Sequence, residues 1–201
     1  MKKNNLVALL FALSLSTAHA ECSGKIETNA ISGSIAGKSV SATASLQSKV
    51  DCDQVPAQVV SILIVNENSP NGNNRSLSIK FSHDNTDEID YFIKNNSLYI
   101  TSHIDDGGGD QHVTRYQVKY MDDKLLVIGI TLTKLILSKD EVVIQKVQDC
   151  NLITKKCIAA TKAGKKKASS AYEVAKDVAP IAFVDLNLND DKQFDRIFDQ
   201  K

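Results

Sequence analysis

From residue 58 to residue 147 the apolar residues come in short runs, each closed by turn-forming residues. This spacing constrains the fold more than any other feature of the chain, because runs of this length suit strands and are too short for packed helices. Residues 58–66 (QVVSILIVN) are β-branched and apolar on both faces, which predicts a core strand. Residues 66–74 are a loop by their chemistry, with asparagines, Ser69, Pro70 and Gly72. In residues 76–82, Leu77, Ile79 and Phe81 alternate with Ser78 and Lys80, the period of a half-buried strand. Residues 89–93 and 98–102 flank a turn at Asn95-Asn96. Residues 113–120 place Val113, Arg115, Gln117 and Lys119 on one face and Thr114, Tyr116, Val118 and Tyr120 on the other. A turn at residues 121–124 leads into the apolar run 125–132 (LLVIGITL), which predicts a hairpin. Residues 141–147 add one more strand.

Both ends of the chain are less regular. Residues 23–49 are small and polar, with Ile31, Gly33, Ile35, Gly37 and Ser39 alternating with Ser or Ala, and predict a weak edge strand or a pair of strands. Residues 168–179 carry the one helix signal: Ser170 with Glu173 forms a capping box and Pro180 supplies a stop. The expected fold class is mainly β or α+β, with antiparallel sheets and one C-terminal helix.

The first twenty residues have the order of a secretory leader. Lys2 and Lys3 precede an apolar run from Leu6 to Leu15, and Ala18 and Ala20 occupy the small-residue positions read by a signal peptidase. The run is too short to span a bilayer, so it predicts cleavage and no transmembrane anchor. Glu21 stands where a lipoprotein signal needs a small residue before Cys22. The expected product is one disulfide-stapled domain of residues 21–201, periplasmic or secreted. Without Lys2 and Lys3, 22 of the 24 basic residues face 24 acids, so the chain lacks the basic excess of a nucleic-acid binder.

Cys22, Cys52, Cys150 and Cys157 all lie in the mature region, and an even number in an exported chain reads as two disulfides. Three pairings are open. Cys22–Cys52 with Cys150–Cys157 is favoured, because each bond then closes a local loop. The spacing lacks the close pairs of a zinc ribbon and the CxxC of a redox site.

Residues 185–195 (DLNLNDDKQFD) repeat oxygen donors at alternate positions, as a calcium loop does when it turns carboxylates inward. The stretch resembles the short calcium-binding loops of integrin-like β-propeller repeats, and more loosely the EF-hand. The resemblance implies Asp185, Asn187, Asn189 and Asp191 as ligands of a structural calcium. Asp190 replaces the bend glycine, Gln193 stands where a carboxylate is wanted, and Arg196 stands where the EF-hand has its bidentate Glu. The alternative is an acidic solvated stretch anchored by Phe183 and Phe194, with no cofactor. A second group, His103, Asp105, Asp106, Asp110 and His112, has metal-ligating chemistry but flanks three adjacent glycines, which predict a hairpin loop without a preformed site.

No GxSxG elbow, Ser-x-x-Lys set or HExxH spacing is present. Lys155, Lys156, Lys162, Lys165, Lys166 and Lys167 form a basic run followed by an acidic tail, a dipolar arrangement that steers charged partners. The expected function is therefore a protein-binding module of the inhibitor or immunity type. It would occlude an envelope or secreted partner with the lysine run or with the Asp105, Asp106 and Asp110 loop. The alternatives are a hydrolase of a cell-envelope polymer and a calcium-stabilised structural envelope protein.

Overall fold

The structure is a computed structural model that describes residues 26–51, 58–84, 88–105, 110–138, 141–175, 178–188 and 195–198. Twelve strands are described among them. β1 (Glu27–Ala36), β2 (Ser41–Asp51), β3 (Gln58–Asn68) and β4 (Arg75–Asp84) form a four-stranded sheet in sequence order. β5 (Glu88–Lys94), β6 (Ser97–Asp105), β7 (Asp110–Met121), β8 (Lys124–Ser138), β9 (Glu141–Asn151), β10 (Lys156–Ala163) and β11 (Lys166–Glu173) run as a second antiparallel meander. β12 (Ile181–Ala182) pairs with β8 at Val127 and Leu126, beside the point where β9 ends opposite Gly129. The expected mainly β architecture of antiparallel sheets is present, and the described α-helix is the short C-terminal α1 (Asp195–Phe198).

Local chemistry sets the meander. Asn95 and Asn96 have φ of 51° and 57°, and Asp122 and Asp123 have φ of 48° and 56°. Two left-handed residues in a two-residue loop match the twist of a hairpin, and Asn and Asp tolerate that region. The Asn pair closes β5 on β6 (Lys94 opposite Ser97), and the Asp pair closes β7 on β8 (Met121 opposite Lys124). The described part of residues 23–49, read as an edge strand or a pair, is a pair: β1 and β2.

The two sheets bury their inner faces against each other. Ile35, Leu63 and Val65 of the small sheet and Leu98, Ile100, Val118 and Val127 of the large one are all fully buried. The alternation expected for residues 76–82 and 113–120 is present, with Ile79, Phe81, Tyr116, Val118 and Tyr120 inward. A bulge at Ile128 shifts the β7–β8 register between Gln117 and Val118. The Ile128 carbonyl accepts the Leu152 N–H at 2.9 Å, which seats Leu152 in the core just past β9. At one end the sheets are tied by their turns. Asp123 accepts the Ser39 N–H at 2.9 Å and the Ser39 hydroxyl, joining the β1–β2 turn to the β7–β8 turn. A Cβ at Gly37 would meet the Asp123 carboxylate and the Val40 side chain, both at 2.9 Å, so the approach needs glycine.

The helix expected over residues 168–179 is not formed; its first half is β11. A cap of this kind typically adds about 1 kcal/mol to a helix end. Against it stands a whole ladder. Residues 166–173 pair one by one with residues 163–156 of β10, through a two-residue turn whose first member, Gly164, has φ 56°. Cys157 is bonded to Cys150, directly opposite it in the ladder, with Cα atoms 4.1 Å apart. That bond fixes β10 on β9 and leaves the far edge of β10 to be paired. The second expected disulfide, Cys22–Cys52, lies outside the described residues.

Candidate interaction surface

Register in the large sheet sorts its outward side chains into rows that cross the strands. One row runs Asp90, Thr101, Arg115, Thr131, Asp149, Ile158, Ala171 from β5 to β11. The next runs Phe92, Tyr99, Gln117, Gly129, Asn151, Lys156, Glu173, and on the other side lie His103, Val113, Thr133, Val147, Ala160 and Ser169. None of these side chains is fully buried, so these rows are open to solvent among the described residues.

Two hollows mark this face. The first, of about 210 Å³, is lined by Tyr99, Arg115, Gln117, Gly129, Thr131, Asp149 and Asn151. Gly129 supplies no side chain, and the row beside it is cross-linked: Arg115 Nη2 donates to Thr131 Oγ1 at 3.4 Å, and Thr131 Oγ1 donates to Asp149 Oδ1 at 2.7 Å. Gln117 Nε2 donates to Ser97 Oγ at 3.2 Å, and Phe92 stacks on Tyr99 with ring centroids 4.9 Å apart. Asp149 is the one carboxylate in this lining, whereas glycoside hydrolysis needs two across the scissile bond. The second hollow, of about 300 Å³, lies on β9–β11 between Gln145, Val147, Ala160, Lys162, Lys167 and Ser169. Ile158, in the adjoining row, is 55% exposed.

The six lysines separate into two groups. Lys155, with φ 61°, and Lys156 sit at the β9–β10 loop. Lys162, Lys165, Lys166 and Lys167 gather at the β10–β11 tip, roughly 20 Å away along the strand at the usual rise per residue. At the tip Lys162 stands directly opposite Lys167, and all four side chains are exposed. Among the described residues none of these four pairs with an acid. Opposed like charges disfavour a ladder.

The other expected site residues are dispersed. Asp105 ends β6 and Asp110 starts β7, while Asp106 lies outside the described residues. Asp110 takes Lys134 Nζ at 2.7 Å, so its charge is spent on β8. His103 is on the outer face, 3.6 Å from Asp90, and His112 falls on the alternate face of β7. Strand alternation therefore separates the two histidines. Asp185 closes a 3-10 turn (Phe183–Asp185) and Asn187 follows it; Asn189 and Asp191 lie outside the described residues. Among the described residues no three His, Cys, Asp or Glu side chains converge as a metal site.

Sequence reasoning missed the Arg115–Thr131–Asp149 row. The alternation of Arg115 and Gln117 was its one local signal, and the register that aligns it with Thr131 and Asp149 is a property of the whole meander. Among the described residues no helix is long and apolar enough to cross a membrane. A scan against protein-family models and searches of curated proteins and of solved structures find no match, so the functional reading rests on the geometry of this face.

Proposed function

We propose that this chain is an exported protein-binding module whose outer sheet face, on β9–β11, docks an extended acidic segment of an envelope or secreted protein. The observation that carries the reading is the β10–β11 tip. Four exposed lysines, two of them directly opposed, crowd a hairpin that gains nothing from their mutual repulsion. An acidic partner relieves that repulsion and is steered by it. Beside the tip, Ile158, Ala160, Val147 and Ser169 offer a low, partly apolar surface suited to an extended chain. The rigid sheet presents this surface at little ordering cost, and bound partner surface is occluded sterically. The Cys150–Cys157 bond favours an oxidising compartment, in keeping with cleavage of a leader after Ala20.

The test uses the mature protein and two synthetic peptides, one Glu-rich and one Lys-rich, in extended form. The Glu-rich peptide should bind with an affinity that falls as salt rises, and Lys162→Glu/Lys165→Glu/Lys166→Glu should abolish that binding while leaving the melting temperature close to the parent's. If the parent ignores the acidic peptide, or the triple variant binds it equally well, the reading is wrong.

A further inference from the structure

β11 is the outer edge of the large sheet, and its residues 166–171 are exposed on both faces. Among the described residues, β1 lies beside β5 and the Phe183–Asp185 turn lies beside β4, whereas β11 has β10 on one side alone. Which backbone groups β11 presents follows from its hairpin. In a two-residue turn the closing pair, here Ala163 and Lys166, is hydrogen-bonded, and the bonding then alternates. Lys166, Ala168, Ser170 and Tyr172 therefore point their N–H and C=O groups at β10. The Val174 N–H, which donates to the Lys155 carbonyl at 3.0 Å, continues the same parity. The short Cα separation of 4.1 Å at Cys150 and Cys157 fits it too, since closely spaced opposite residues are the non-hydrogen-bonded ones. Lys167, Ser169, Ala171 and Glu173 are left with backbone groups aimed outward.

We infer that this edge pairs with the β11 edge of a second copy of the chain, antiparallel and twofold-symmetric about Ser170. Parity restricts a symmetric antiparallel ladder to registers centred on one residue, because outward-bonding residues must face each other. Centred on Ser170, Lys167 faces Glu173 of the second copy, Ser169 faces Ala171, and Ala168 faces Tyr172, and the twofold axis repeats each pair. Both ends of the ladder then carry an opposite-charge pair on the outer face, where cross-strand pairs meet. Small residues at the centre let the backbones approach without obstruction. A register centred on Ser169 instead sets Lys167 against Ala171 and carries Glu173 past the strand, opposite the turn residue Lys165. The Ser170 register thus uses the charges of the segment KKASSAYE best. An open strand edge is a template for another chain, and this one has a lysine block at one end alone. Lys167 belongs both to the lysine tip and to the ladder, so the two readings are separated by their variants: Lys162, Lys165 and Lys166, which test the acidic-peptide reading, remain outside the ladder's charge pairs.

The experiment is sedimentation of the mature, oxidised protein over a range of concentrations. The parent should dimerise. Lys167→Glu should raise the dimer dissociation constant about tenfold or more, because it sets acid against acid at both ends. Glu173→Lys should do the same, and the double charge swap should restore dimerisation. Ser169→Pro removes one outward N–H and none that β10 uses, so it should give a folded monomer. Ala168→Pro removes an inward N–H and should lower the melting temperature instead. Ser170→Cys should form an intermolecular disulfide on mild oxidation. A parent that stays monomeric at every concentration overturns the inference. So does a dimer that tolerates Ser169→Pro, or single charge variants that the swap does not rescue.

Discussion

Tyr120 donates a 2.7 Å hydrogen bond from its hydroxyl to Glu67 Oε1, joining β7 of the large sheet to β3 of the small one through the core. Glu67 is 2% exposed, and a carboxylate so placed requires compensation. Arg75 provides it. It stands directly opposite Glu67 in the β3–β4 ladder and donates Nε to the second carboxylate oxygen, while its side chain stays 60% exposed. The charge is thus buried at one end and hydrated at the other. Tyr120→Phe should lower stability by about 1.5–3 kcal/mol, the range for a hydrogen bond to a charged group. Urea unfolding at neutral pH measures it, and no change in midpoint would mean that the bond is not formed in solution.

The same bond sets an alkaline limit. Burial, and then the bond to Glu67, push the Tyr120 hydroxyl far above the ordinary phenol value. Burial does the same for Tyr91, whose hydroxyl has no partner among the described residues. The unfolded chain releases these protons near pH ~10 while the folded chain keeps them, so stability is complete below about pH 10 and falls as pH rises beyond it. The urea midpoint followed upward from pH ~8 should show that fall. It should be shallower in Tyr120→Phe.

Asp123 contributes on the acid side. Its hydrogen bonds from the Ser39 hydroxyl and the Ser39 N–H hold its carboxyl below the ordinary carboxylate value. A depressed folded value means the turn-to-turn tie contributes fully above about pH 3.8 and is lost as pH falls through the folded value. Asp123→Asn keeps a residue that tolerates φ of 56° but removes the titrating charge. Its urea midpoint should respond less than the parent's to acidification below about pH 4. An acid limb identical in the two proteins would show that the tie carries no proton linkage.

The strands were legible where alternation was strong and the turn chemistry local. Leu77, Ile79 and Phe81 in β4, and the turns at Asn95-Asn96 and Asp122-Asp123, declare themselves within a few residues. Ser170 and Glu173 misled for the same reason. They form a local helix signal, and it was overruled by Gly164 and by a disulfide that presents a bare strand edge. Glu67 was hidden because its partners are a loop-flanking Arg75 and a Tyr120 far along the chain. The lysine run was visible as composition, but its division into two groups follows from β10 being an extended strand between them.

The Cys150–Cys157 bond should stabilise more than its short loop suggests from structure alone, because three strands depend on it. A sequence separation of 7 gives about 2.5 kcal/mol from chain entropy. Cys150 and Cys157 are both fully buried, and Tyr172 of β11 packs over them with its hydroxyl 3.6 Å from Cys150 Sγ. Loss of the bond should therefore loosen β10 and β11 before the sandwich core opens. In Cys150→Ser/Cys157→Ser the urea midpoint should fall. Hydrogen exchange should accelerate first in β10 and β11, while β3 and β7 stay protected until global unfolding. Uniform acceleration across all strands would show that the β9–β11 arm and the sandwich unfold as one unit.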